Sequence, residues 1–191
     1  MVGGEQGLYL LNEDLTQISH NAAVQPEAMA TLPNGNLVII SYLSYIVTIY
    51  NGNTIVHSWA QETQNPYGFL RKVIVNDDLI MIPSTNENRI MVYTDQGELF
   101  YHLKPNMSHP NWICAFDEGH VIITSQWDYE EGDTGSVGLF PIGDHSVALW
   151  KTKLFSPQAV CYDKLNKLII VGDHHCIHIL STAGVLKLYP T

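Results

Sequence analysis

The chain has little positive charge. Nine lysines and arginines stand against 19 aspartates and glutamates, for a net charge of −10 at pH 7. Phosphate backbones are gripped mainly by clustered lysine and arginine, so this balance weighs against nucleic acid and against an anionic membrane. The lysines nearest the C-terminus, from Lys151 to Lys187, fall on expected strand ends and turns and read as a solvated rim. Long apolar runs are missing as well. No stretch of 18 uninterrupted apolar residues occurs, so no spanning helix is expected, and Met1-Val2-Gly3-Gly4-Glu5 lacks the basic flank and apolar core of a secretory signal. The three cysteines, Cys114, Cys161 and Cys176, are an odd number without Cys-x-x-Cys spacing. That usage suits a reducing compartment, so the expected location is cytoplasmic. Gly-x-Ser-x-Gly elbows and phosphate-cradling glycine loops are absent, which removes the usual serine hydrolase and nucleotide-binding signatures.

What is present is a repeat. Pro26, Pro66, Pro110 and Pro157 open stretches of similar layout at steps of 40, 44 and 47 residues. About 11 to 13 residues after each proline comes a short aliphatic run: Leu37–Ile40, Leu79–Ile82, Val121–Thr124 and Leu168–Val171. Turn residues precede each run, as in Pro33-Asn34-Gly35-Asn36, Asn76-Asp77-Asp78 and Asp117-Glu118-Gly119, which tolerate the backbone of a tight hairpin. A second strand with period-two alternation follows, as in Arg89-Ile90-Met91-Val92-Tyr93 and Cys176-Ile177-His178-Ile179-Leu180. A further turn such as Thr94-Asp95-Gln96-Gly97-Glu98 leads to an outer strand. No amphipathic helix is expected.

A period of 40 to 47 residues made of short strands predicts an all-β fold, a β-propeller of about five four-stranded blades with strands A to D from the inside outward. The whole of 1–191 reads as one domain, with blades near 26–65, 66–109, 110–156 and 157–191 and an incomplete blade at 1–25. Cys114 and Cys161 each lie four residues after a repeat proline, where other repeats have Ala30 and Leu70, so both are expected to pack in the core.

These residues resemble the NHL repeat family. Repeat four reads Pro157-x-Ala159-Val160-x-x-Asp163-x-x-Asn166-x-Leu168-Ile169-Ile170-Val171-x-Asp173, and repeat two supplies Asn88-Arg89-Ile90-x-Val92-Tyr93 followed by Gly97. Residues 1–25 look like the end of one more blade, with Val2–Gly4 as strand B, Gly7–Leu11 as C and Leu15–Ile18 as D. Gly4-Glu5-Gln6-Gly7-Leu8-Tyr9 also resembles the opening of citron-homology propellers. An innermost strand for that blade is missing from both ends. The chain is therefore a piece of a longer propeller, or closes with about five blades, or completes its ring as a homo-oligomer.

In a propeller the B–C and D–A loops share one face, where ligands usually sit. The B–C loops bring Tyr42 and Tyr45, Asn86 and Glu87, Trp127, Asp128 and Tyr129, and His174. Aromatics among carboxylates fit a protein or peptide partner, because tyrosine and tryptophan are typical interface anchors. Any one of these residues could equally be an ordinary polar loop residue. The D–A loops bring His20 and His109, which with Asp173, His174 and His175 could converge on zinc or calcium in the central channel. Those histidines do not recur at one repeat offset, so capping or solvated roles compete, and the main expectation is no cofactor. Asp173-His174-His175-Cys176 spells the tetrad of palmitoyl transferases, but the cysteine-rich zinc domain and membrane spans of those enzymes are missing.

The family resemblance implies a non-catalytic interaction or scaffold module, such as the substrate-recruiting part of a tripartite-motif ubiquitin ligase. Two alternatives stand beside it. A metal-dependent lyase or hydrolase of the propeller type would use the histidines, and an RNA-binding NHL domain would need a basic face that the charge count opposes.

Overall fold

The computed structural model describes residues 2–4, 7–11, 17–21, 25–41, 46–61, 72–128, 134–143 and 145–187. Five sheets follow one another along the chain. The first holds β1 (Val2–Gly4), β2 (Gly7–Leu11) and β3 (Gln17–Asn21). The second holds β4 (Pro26–Thr31), β5 (Leu37–Ser41), β6 (Ile46–Asn51) and β7 (Thr54–Ala60). The third holds β8 (Ile74–Asn76), β9 (Leu79–Ser84), β10 (Arg89–Tyr93) and β11 (Leu99–Pro105). In the fourth, β12 (Pro110–Asp117), β13 (His120–Asp128) and β14 (Thr134–Pro141) pair in order. The chain then crosses as β15 (His145–Ser146) to the edge of the third sheet and returns as β16 (Trp150–Leu154). The fifth holds β17 (Pro157–Asp163), β18 (Leu168–Asp173) and β19 (Ile177–Ser181), with one further bridge between Leu180 and Leu186.

Consecutive strands of each sheet form an antiparallel meander, as the short turns require, with β15 added in parallel to the edge of the third, and successive sheets stack flat face on flat face. Successive side chains of a strand point to opposite faces, so a strand covered on both sides must be apolar at every position. That is why Val38, Ile39 and Ile40 are all buried, as are Ile80, Met81 and Ile82. Alternate residues of one sheet meet alternate residues of the next: Val38 and Ile49 pack with Ile80 and Ile82, Met81 and Val92 with Ile113 and Ile123, Ile122 and Leu139 with Val160 and Ile169. Leu8 joins Leu37, Ile39 and Tyr50 to seat the first sheet on the second. This is the blade-upon-blade construction of a β-propeller. Among the described residues the only helical segment is a 3-10 turn at Thr85–Glu87, and no helix is long and apolar enough to cross a membrane.

Tryptophans brace the outer rim. Trp59 on β7 lies against the turn of the third sheet at Gly97, where φ is +81° and an added Cβ would sit 2.5 Å from the indole. Trp150 on β16 covers Gly184 of the fifth sheet in the same way and donates its indole N–H to the Thr182 carbonyl at 3.0 Å. Glycine is required at both turns because the positive φ and the ring overhead exclude a side chain.

Several expectations are corrected. Pro26, Pro110 and Pro157 open innermost strands, where a missing N–H costs least. In the third sheet the register places Ile74, not Leu70, in the position of Cys114, because Ile74 faces Met81 as Cys114 faces Ile122; Leu70 itself lies outside the described residues. The outer strand of the first sheet is Gln17–Asn21, so His20 and Asn21 belong to a strand and not to a D–A loop; pairing of Leu8 with Asn21 and Tyr9 with His20 extends the ladder through them. Trp127 and Asp128 likewise belong to β13 instead of the loop after it, since Asp128 pairs with Thr134 beyond a bulge. Cys161 is exposed although Cys114 is partly buried. The reason is positional: Cys114 faces the fifth sheet, and the equivalent face at Cys161 has no sheet over it among the described residues.

Candidate loop-end binding site

Because the strands alternate in direction, the B–C and D–A connections emerge at one end of the sheets and the A–B and C–D turns at the other. At the loop end, side chains of one connection hold the backbone of another. In the third sheet Asn88, in a left-handed conformation at φ 49°, accepts the His109 N–H on its side-chain oxygen at 2.7 Å. Thr85 donates its hydroxyl to the Pro110 carbonyl at 3.0 Å. Glu87 is pinned on its own side, accepting from Ser84 at 3.0 Å and from Arg89 at 2.7 Å, whereas Asn86 is exposed. The predicted pair Asn86 and Glu87 thus divides into an outward amide and an inward structural carboxylate.

Asp173 does the same work in the fifth sheet. Its carboxylate accepts the backbone N–H groups of Phe155 and Ser156 at 3.2 Å and that of His174, and its side chain is 2% exposed. Burial alone pushes the carboxyl up, but the N–H groups of Ser156 and His174 and the His178 imidazole outweigh it, so Asp173 is held below the usual carboxylate range. Held from beneath, the loop projects an aromatic ledge. Phe155, 69% exposed, stacks on His175 at 5.9 Å between centroids, and His175 meets His174 edge-on at 4.7 Å. Gln158 approaches the His174 ring at 3.4 Å.

Beside the ledge, the His178 Nε2 lies 3.2 Å from Asp173 and 3.3 Å from the Cys176 sulfur. Both partners meet the same ring nitrogen. A nucleophile–base relay needs them on opposite nitrogens, so a proton held there for Asp173 leaves no lone pair for the thiol. The arrangement is a structural clasp.

Of the other expected site residues, Tyr42, Tyr45 and Tyr129 lie outside the described residues, and Trp127, Asp128 and His20 are described by backbone alone. His109 directly precedes β12 of the fourth sheet, whereas Asp173 ends β18 of the fifth and His174 and His175 follow it. Among the described residues no three histidine, cysteine, aspartate or glutamate side chains gather as a metal cage.

The opposite end carries a feature that the sequence reading treated only as turn chemistry. A groove of about 730 Å³ opens between the A–B turns of the third, fourth and fifth sheets, lined by Asp77, Phe116, Asp117, His120, Tyr162 and Lys164 among others. Asp117 accepts from the Gly119 N–H at 2.9 Å and meets the His120 Nδ1 at 2.7 Å. Burial pushes its carboxyl up, and the hydrogen bonds from His120 and Gly119 more than reverse that. Phe116 and Tyr162 pack ring on ring at 4.5 Å. The signal available in sequence was the recurrence of Asp/Asn turns at one repeat position, with an aromatic just before the turn at Phe116-Asp117 and Tyr162-Asp163.

No protein-family model matches the chain, and no curated protein matches it. Solved structures do. A functionally unknown protein from Desulfotomaculum acetoxidans aligns at TM-score 0.74 and 13% identity over 98% of this chain and 63% of its own. Virginiamycin B lyase from Staphylococcus aureus aligns at 0.71 and 11% over 96% of this chain and 62% of its own. The Pan2 WD40 domain of Neurospora crassa aligns at 0.66 and 10% over 93% and 56%. The chain therefore spans about three-fifths of the length of these structures, and what it has in common with them is the β-propeller fold.

Proposed function

We propose that this chain is a protein-interaction module of the NHL-like propeller type that takes a peptide segment across its loop end. The observation that carries this reading is the exposed ledge of Phe155, His175 and His174 held up by the buried Asp173 carboxylate. A rigid aromatic surface on a fixed loop loses little entropy when a partner covers it, which is how interface anchors work. The net charge of −10 favours a segment bearing lysine or arginine. Tyr42, Tyr45, Trp127, Asp128 and Tyr129 belong to the same loop-end set by sequence position. Recruitment of a ubiquitin-ligase substrate is the setting that the NHL resemblance supports. A lyase reading rests on likeness of fold alone.

The test is fluorescence anisotropy with three labelled peptides of equal length, one rich in lysine and arginine, one neutral and polar, one acidic. The basic peptide binds most tightly, and Phe155→Ala with His175→Ala weakens it at least about tenfold while the melting temperature stays within about 2 °C. Failure of all three peptides to bind, or binding indifferent to the double variant, would overturn the reading.

A further inference from the structure

The tripeptide Asn-Gly-Asn occurs twice, at Asn34-Gly35-Asn36 and at Asn51-Gly52-Asn53, each time in a hairpin turn with its first asparagine and its glycine exposed. Asparagine before glycine can react with its own backbone. The glycine nitrogen, once deprotonated, attacks the asparagine side-chain carbonyl carbon and expels ammonia, and water then opens the resulting succinimide ring to aspartate or isoaspartate. The reaction needs a glycine N–H free to give up its proton, an amide side chain free to swing onto that nitrogen, and no Cβ beside it. The fold treats the two copies differently. In the first turn both partners are held: the Gly35 N–H donates to the Leu32 carbonyl at 2.9 Å, and the Asn34 Oδ1 accepts the Asn36 N–H at 3.0 Å, the local bond by which asparagine fixes a turn. The second turn joins β6 to β7, with Asn51 facing Thr54 at the last rung of the ladder. Gly52 sits at its tip with nothing within 4 Å of the place of a Cβ. Among the described residues neither the Gly52 N–H nor the Asn51 side chain has a hydrogen-bond partner.

We infer that Asn51 is a site of spontaneous deamidation and that the fold protects Asn34 from the same reaction. The tripeptide is identical in both places, so a difference in rate belongs to the turns and not to the residues. Each event adds a negative charge to a chain already at −10. The isoaspartyl product also lengthens the backbone by a methylene where β6 turns into β7. This turn connects the third strand of its sheet to the outer one and lies at the end opposite the aromatic ledge, so modification and peptide binding are separable.

Incubation of the full native chain at mildly alkaline pH, followed over time by peptide mass mapping, tests this beside the same chain kept unfolded in urea. In the native chain Asn51 converts to aspartate and isoaspartate at least about tenfold faster than Asn34, the difference made by two hydrogen bonds that must break first. In urea both turns are lost, and the two asparagines convert at rates within about twofold of each other. Asn51→Gln, whose longer side chain would have to close a larger ring, removes the first acidic species seen on isoelectric focusing of the native chain. Native protein in which Asn34 converts as fast as Asn51, or in which neither converts while both do in urea, would overturn the inference. So would a rate difference that persists in urea, or an unchanged first acidic species in Asn51→Gln.

Discussion

The fourth and fifth sheets present the same row of residues to opposite circumstances. Cys114, Ile122 and Leu139 are packed under Val160, Ile169, Val171 and Leu180, whereas Cys161, Ile170 and Ile179 have no sheet above them among the described residues, Cys161 being exposed and the two isoleucines half-buried. Their chemistry is nearly the same, so what differs is only the presence of a following sheet. In a stacked architecture a strand's apolar pattern reports what the repeat is built for, and its burial reports what the neighbour supplies.

The sharpest way to break this comparison is to truncate both rows. Ile122→Ala should cost about 2–5 kcal/mol, because a fully buried isoleucine leaves a cavity. Ile170→Ala in dilute, monomeric protein should cost less than about 1 kcal/mol. Urea unfolding of the two variants in parallel gives both values, and equal losses would dissolve the distinction.

Next in size is the clasp that ties the fifth sheet to the linker leaving the fourth. Asp173→Asn should lower stability by about 2 kcal/mol at neutral pH, since charged acceptors make the stronger bonds. The Asp173 carboxyl is held lower in the folded chain than in the unfolded one. Its contribution is therefore complete above the unfolded value, near pH 4, and is lost as pH falls through that value toward the folded one. Unfolding curves between pH 6 and 3 should show the wild type losing more stability than Asp173→Asn; parallel decline would contradict the assignment.

At the rim, Gly97→Ala should cost about 1–3 kcal/mol, since the methyl group meets the Trp59 ring as well as an unfavourable φ. Gly35→Ala, at φ +84° with nothing within 4 Å, should cost about 1 kcal/mol from backbone alone. Thermal melts that rank the two the other way would remove the tryptophan brace from the account. The smallest effect is expected at Lys72, whose ammonium lies 4.9 Å above the Trp112 ring. Lys72→Met should cost about 0.5 kcal/mol by the same melts.

Much of this was legible in the sequence, for a physical reason. A strand covered on both faces cannot hide its apolarity, so Leu37–Ile40 and Leu168–Val171 announce themselves, and Asn or Asp turns mark the hairpins between. Events that depend on a partner element were not legible. The excursion of His145–Ser146 to Lys104 and Pro105 is a long-range pairing with no local signature. Trp127 and Asp128 joined a strand because Thr134 stood opposite, which composition does not show. Cys161 carries the residue type of a core position and lacks only the neighbour. At the candidate site, His174 and His175 were visible as loop residues, but Phe155 as their stacking partner required the carboxylate of Asp173 to bring two connections together.

The two equivalent cysteines test the central claim in the unaltered protein. Labelling of dilute native chain with N-ethylmaleimide, followed by peptide mass mapping, compares Cys114, partly buried against the fifth sheet with its thiol pushed up by that burial, with Cys161 at the uncovered position. Stacking predicts that Cys161 reacts at least about tenfold faster; equal rates, or a faster Cys114, would contradict it.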